Sequence, residues 1–208
     1  MGSGEKPLLL LRDRPLISYV LAALARSCQV DHIYVAVSFR TPGTLAYVKD
    51  HSPERVAPIV TPGSGYVGDM AYAVNTLELR GPVLVVSADL PLLTPGIIDE
   101  AISAYALCGK EALSVRVDAR KTPGEHDTVL LDGGIPSIPA GINIVHGAHM
   151  DRAQDEYVLI LDDEGLALNI NYKKDLAACE RLLDGLRHEV YEDMKDVSHK
   201  DMKVLKDL

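Results

Sequence analysis

The chain has 208 residues, 30 acidic against 21 basic, for a formal charge of −9. That length suits one well-buried domain, and that balance argues against non-specific binding to nucleic acid or to an anionic membrane. With no Trp and a single Phe there is no stacking platform for single-stranded nucleic acid.

Strand-like apolar segments alternate with helix-period segments, the pattern of a parallel α/β sheet. Leu8 to Leu11 is a short apolar run, and Pro15 opens a helix with Leu16, Val20 and Leu24 on one face. Ile33 to Val37 is the next strand, Thr41-Pro42 starts a helix through Val48, and Val56 to Val60 is a further strand. It ends in Thr61-Pro62-Gly63-Ser64-Gly65, after which Asp69 reads as the N-cap of a helix carrying Met70, Ala73, Val74 and Leu77. Val83 to Val86 reads as a strand buried on both faces. A helix from Pro95 to about Leu107 and a strand near Ala112 to Val117 follow. Residues 122–163 hold short apolar pieces broken by glycines and prolines, and read as an insertion of short mixed strands over the sheet's active edge. A last strand, Leu166 to Ile170, runs into a helix from about Tyr172 to Leu186, so the domain spans 1–187 and 188–208 is a charged tail or surface helix.

No stretch approaches the length of a membrane span, and Met1-Gly2-Ser3-Gly4-Glu5-Lys6 lacks the order of a signal peptide. Cys28, Cys108 and Cys179 form neither a Cys-x-x-Cys pair nor a disulfide framework. The reading is a cytoplasmic protein.

Four clusters fall in loops on one expected edge of the sheet, where open α/β sheets bind ligands. Gly2 and Gly4 allow close backbone approach to phosphate, and Lys6 can neutralise it. Gly63-Ser64-Gly65 can hold a nucleobase edge or be an ordinary strand-to-helix turn. Asp89, just past the strand Val83 to Val86, is placed to hold a hard cation such as Mg²⁺ against phosphate oxygens. Its alternative use as a helix cap is weakened by Thr94 and Pro95, which already supply a cap and a first-turn proline. Asn171 either caps the last helix or offers a carbonyl oxygen to the same cation.

Together these residues resemble the MobA-like nucleotidyltransferases, the family that includes molybdenum-cofactor guanylyltransferase and the sugar-nucleotide pyrophosphorylases. The resemblance spans nearly the whole chain. It rests on Glu5-Lys6-Pro7-Leu8, Arg14-Pro15-Leu16-Ile17, Ser87-Ala88-Asp89-Leu90-Pro91, and Asn169-Ile170-Asn171 with Lys174-Asp175-Leu176. Gly65-Tyr66-Val67-Gly68-Asp69, Pro139-Ala140-Gly141-Ile142-Asn143 and Leu168-Asn169-Ile170-Asn171 are similar to the family's archaeal members that guanylylate a corrinoid phosphate.

The resemblance implies a Rossmann-like (GT-A-like), mostly parallel sheet with helices on both faces. It also implies transfer of GMP from GTP to adenosylcobinamide phosphate, with Mg²⁺ as cofactor and a homodimer as a possible assembly. Lys6 becomes a catalytic phosphate contact, Asp89 a catalytic Mg²⁺ ligand and Asn171 a second metal-side ligand. Gly2, Gly4, Gly63, Ser64, Gly65 and Asp69 become nucleotide-binding, Asp69 either accepting from guanine or capping its helix, and Gly141 and Asn143 border the acceptor. Two other readings stay open: transfer to a molybdopterin or other small acceptor, and a non-catalytic nucleotide-binding protein. The family opens with a strand and a loop of the form Leu-x-Ala-Gly-Gly-x-Gly-Thr-Arg-Met-Gly, whose final pair matches Met1-Gly2. The expectation is a sheet lacking that first strand and most of the phosphate loop.

Overall fold

The computed structural model describes residues 4–122, 128–163, 165–166 and 173–185. In chain order these form β1 (Leu10–Leu11), β2 (Arg14–Pro15), α1 (Leu16–Arg26), β3 (Ile33–Ser38), α2 (Pro42–His51), β4 (Val56–Thr61), α3 (Tyr66–Thr76) and β5 (Pro82–Val86). Then come α4 (Pro95–Cys108), β6 (Ala112–Asp118), β7 (Leu130–Asp132), β8 (Ile135–His146), β9 (Glu156–Leu161) and α5 (Lys173–Gly185). Among the described residues no helix is long and apolar enough to cross a membrane.

The apolar run Leu8 to Leu11 does not make one strand. Pro7 lacks an amide hydrogen, and Lys6–Leu8 close a 3₁₀ turn before the chain reaches β1. Arg12 and Asp13 then adopt φ of 48° and 64°, the left-handed pair that turns a tight hairpin into β2. Leu11, Leu16 and Tyr19 pack there with Leu92, Cys179 and Leu183, so α5 closes over the hairpin. Arg12 reaches Asp184 of the same helix.

The α/β class holds, with mixed pairing. β3 and β4 run parallel from Ile33↔Val56 to Ser38↔Thr61. A separate sheet has the order β5-β8-β6-β9, with β7 added on β8; β8 lies antiparallel to both β5 and β6, and β9 parallel to β6. Residues 122–163 are therefore no insertion over the edge. Their longest strand, β8, is the middle of the sheet, although Pro136, Pro139 and Gly141 broke its apolar pattern in sequence. It tolerates them because the β6–β8 register slips between Val115 and Arg116, which frees Ala140 and Gly141 from the ladder as a bulge. The expected strand after Leu166 and the expected tail from 188 lie outside the described residues.

One core joins the two sheets. Ile17, Val20, Ala23 and Leu24 of α1 and Ile97, Ile98 and Ala101 of α4 pack with Ile33 and Val56 of the first sheet and Leu113, Ile142 and Ile144 of the second. Yet, among the described residues, β3 pairs only with β4 and β5 only with β8. Each keeps one open edge. Val83 to Val86 are accordingly half-buried rather than buried on both faces, because an edge strand lacks the neighbour that would cover its second side. Hydrogen exchange tests this: outer-edge amides of β3 and β5 should exchange about tenfold or more faster than those of β6, which is paired on both sides.

Candidate nucleotide site

Glu5 sets the site's N-terminal wall from a distance. Its Oε1 accepts from the Gly43 amide (2.6 Å), and Oε2 accepts from the Thr44 amide (2.6 Å) and hydroxyl (2.5 Å). The carboxylate thus satisfies the first amides of α2. The local candidate, Thr41, is spent on Ser38, accepting from its amide and donating to its carbonyl. Desolvation pushes the Glu5 carboxyl up, but the hydrogen bonds from Thr44 and Gly43 prevail and hold it below its ordinary value.

With Glu5 anchored, Lys6 is delivered to Asp89, and its Nζ donates to Oδ2. Asp89 follows β5 by three residues, and Leu90, Leu92 and Leu93 behind it are all buried. Leu90 and Leu93 enter the main core and Leu92 the second cluster, so the loop is fastened on both sides. Asp89 does not cap α4; Thr94 does, accepting from the Ile97 amide at 3.3 Å. The other carboxylate oxygen, Oδ1, is buried without a hydrogen-bond partner. A buried, unpaired carboxylate oxygen fits a hard divalent cation. No group of three or more His, Cys, Asp or Glu side chains around a cation exists among the described residues.

The loop after β4 turns on two glycines in the left-handed region, Gly63 (φ 77°) and Gly65 (φ 91°). A Cβ on Gly63 would also come within 2.8 Å of the Phe39 ring. Asp69 is not the N-cap of the following helix. Gly65 holds that position, and Asp69 lies inside the first turn, where its Oδ1 accepts from the Gly63 (2.9 Å) and Ser64 (3.0 Å) amides. Sequence suggests a cap because an acidic residue ahead of an apolar stripe is the usual signal; here the carboxylate reaches back and ties the loop instead.

The two loops meet across β8. Tyr66, first residue of α3, receives a hydrogen bond on its hydroxyl from Asn143 Nδ2 at 3.4 Å. Asn143 stands opposite Val85 of β5. Beyond it, the bulge brings Gly141 (φ 75°) against Ser87, whose amide donates to the Gly141 carbonyl at 2.8 Å. So Gly63, Ser64, Gly65, Asn143, Gly141, Asp89 and Lys6 form one connected edge. Gly4 is exposed and a Cβ there would meet open space, while Gly2 and Asn171 lie outside the described residues.

Two participants carried no assigned role in the sequence. Glu5 acts on a helix 38 residues away, and local pattern holds no trace of such a contact. Tyr66 gave one signal, an aromatic directly after the glycine loop.

Residues 1–188 match the family described as MobA-like NTP transferase domain. The adenosylcobinamide-phosphate guanylyltransferase of Methanocaldococcus jannaschii is 37% identical over 198 residues, 89% of this chain and 93% of that protein. A probable molybdenum cofactor guanylyltransferase of Thermococcus gammatolerans is 30% identical over 111 residues, 52% of each chain. The crystal structure of a 4-diphosphocytidyl-2C-methyl-D-erythritol synthase from Anaerococcus prevotii superposes with a TM-score of 0.64 at 11% identity, over 88% of this chain and 94% of that one.

Two stability effects follow from the site's supports. A Cβ on Gly141 would sit 2.8 Å from Ser87 Oγ and 3.0 Å from its Cβ, in a left-handed conformation, so Gly141→Ala should cost about 1–3 kcal/mol in denaturant unfolding. Glu5→Ala should cost about 1 kcal/mol at neutral pH. Because the folded-state pKa of Glu5 is depressed, its contribution is present above the ordinary carboxylate pKa and lost as pH falls through the lowered value. The melting difference between wild type and Glu5→Ala should therefore vanish in strong acid.

Proposed function

The chain belongs to the MobA-like NTP transferase family, and from that premise we propose that it moves GMP from GTP to the phosphate of adenosylcobinamide phosphate. Pyrophosphate leaves and adenosylcobinamide-GDP forms. The observation that carries the reading is the 37% identity, over 93% of its length, to a guanylyltransferase of that acceptor.

An oxygen of the acceptor phosphate attacks the α-phosphorus of GTP, and the bond from that phosphorus to the oxygen of the β-phosphate breaks. The acceptor has a second pKa near ~6 and is already mostly ionised near neutral pH, so no general base is needed. The work is to bring two anions into line. Lys6 reduces their repulsion, Asp89 faces the triphosphate, and the backbone of Gly2 and Gly4 approaches the phosphates. Gly63, Ser64 and Gly65 form one wall of the base pocket, with Asp69 holding that wall in shape. Gly141 and Asn143 border the acceptor. A divalent cation, Mg²⁺ in this reading, would be held at Asp89 Oδ1 with Asn171 as a second ligand, and supplies charge neutralisation on the phosphates when bound. The enzyme works in the cytoplasm, where GTP is available.

Pyrophosphate release from GTP and Mg²⁺ with each acceptor in turn tests the reading; turnover with a molybdopterin and none with adenosylcobinamide phosphate would replace it. Asp89→Ala should lower kcat/KM on the order of a hundredfold while the fold survives. Wild-type rate in that variant at saturating Mg²⁺ would remove Asp89 from the site. GTP should bind about tenfold or more tightly than ATP, UTP or CTP, since groups matched to guanine are left unpaired by another base. Equal calorimetric affinities would remove guanine selectivity.

A further inference from the structure

A cleft of about 200 Å³ opens beside Asn143, lined by Tyr66 and Met70 of α3, Ala112 of β6, Asn143 and Val145 of β8, and Glu156 of β9. Of its lining residues, Asn143 alone has a place in the transfer reading, at the border of the acceptor. Its polar groups are a phenol, an amide and a carboxylate. The Tyr66 hydroxyl and Asn143 amide already face each other at 3.4 Å. Glu156 is held by Arg116, which donates to Oε2 at 2.9 Å and spends its Nε on Ser114 at 3.1 Å. The nearby guanidinium is therefore paired, and no lysine lines the cleft. A triphosphate or a second phosphate finds no cation here.

We infer that this cleft receives a neutral carboxamide side arm of the acceptor, while the apolar ring system that carries the arm stays outside. A primary amide needs both an acceptor for its N–H groups and a donor for its carbonyl. Glu156 and the Asn143 carbonyl oxygen supply the first, and the Tyr66 hydroxyl and Asn143 Nδ2 the second. Burial pushes the Tyr66 phenol up, against the Asn143 hydrogen bond, so the hydroxyl stays a donor at neutral pH. Met70, Ala112 and Val145 give the arm an apolar channel.

The volume decides how much enters. It is below the ~300–1,000 Å³ of clefts that enclose a whole drug-sized ligand. An arm fits and the ring does not. The ring rests outside, against the exposed face of Tyr66 (56% exposed), which lines the cleft. Tyr66 then serves two sides at once, as the first residue after the nucleotide loop and as the roof of the acceptor cleft. It is a specificity residue for the acceptor, additional to Gly141 and Asn143.

The inference rests on the corrinoid reading of the acceptor, and its test separates the two. Adenosylcobinamide, which carries the carboxamides without the phosphate, is titrated calorimetrically into wild type, Tyr66→Phe and Asn143→Ala, and acceptor and GTP KM values are measured from pyrophosphate release. Wild type should bind it, and each variant should weaken binding and raise the acceptor KM by about five- to tenfold with the GTP KM unmoved. Tyr66→Phe keeps the aromatic ring, so folding is not at stake. No binding to wild type, variants that bind as wild type does, or an equal rise in the GTP KM would each overturn the cleft assignment. Binding that weakens in the variants, with no pyrophosphate released from GTP when adenosylcobinamide phosphate is the acceptor, would overturn the transfer reading and uphold the cleft.

Discussion

The edge of this molecule depends on how closely Gly141 can approach Ser87. The Ser87 amide donates to the Gly141 carbonyl at 2.8 Å, and a side chain at 141 would collide with Ser87. That contact closes the end of β5 onto β8. Asp89 lies two residues beyond Ser87 and Asn143 two residues beyond Gly141 in β8, so one bulge fixes the spacing between that carboxylate and that amide. Strand alternation does the rest. Ile142 and Ile144 enter the core with α1 and α4, which turns Asn143 to the opposite face and towards Tyr66.

Antiparallel β8 explains why a sheet that reads as parallel is mixed. Its insertion between β5 and β6 lets one long strand carry both a core face and a site face, and the slipped register supplies the bend that parallel neighbours would not. Among the described residues β3 and β5 each keep a second edge unpaired while their side chains share one core. Apolar packing can bridge two sheets without a ladder because it is non-directional, but the backbone groups on those edges must find other partners.

Legibility followed the range of the interaction that decided each element. α1, α2, α4, β4, β6 and β9 were readable because apolar period and local punctuation fix them, as when Thr94 caps α4. The place of Asp89 just past β5 was readable too, since an apolar run that stops at a polar turn marks a strand's end. β8 was not, because Pro136, Pro139 and Gly141 look like breakers until the bulge that accommodates them is seen. Asp69 looked like a cap because sequence shows order and not direction of reach. Glu5 and Tyr66 act through Gly43, Thr44 and Asn143, residues distant in the chain, and no spacing rule encodes such pairs.

An acidic chain that handles polyanions must build local positive potential from few parts. The described helix termini are largely spoken for: Glu5 occupies the amides at the start of α2, and Thr94 those of α4. Neither remains a ready anion site. Lys6 is the cation delivered to this edge, and it arrives beside a carboxylate that cancels much of its field. The pairing has a use. Holding Lys6 against Asp89 Oδ2 keeps a long, flexible side chain ordered and leaves Oδ1 buried without a hydrogen-bond partner. In the proposed reading, a divalent cation joining Asp89 there would supply the positive potential that the ion pair withholds. The neighbouring groups Ser87, Asn143 and Tyr66 are neutral, which suits the proposed role of this edge towards the uncharged part of the acceptor.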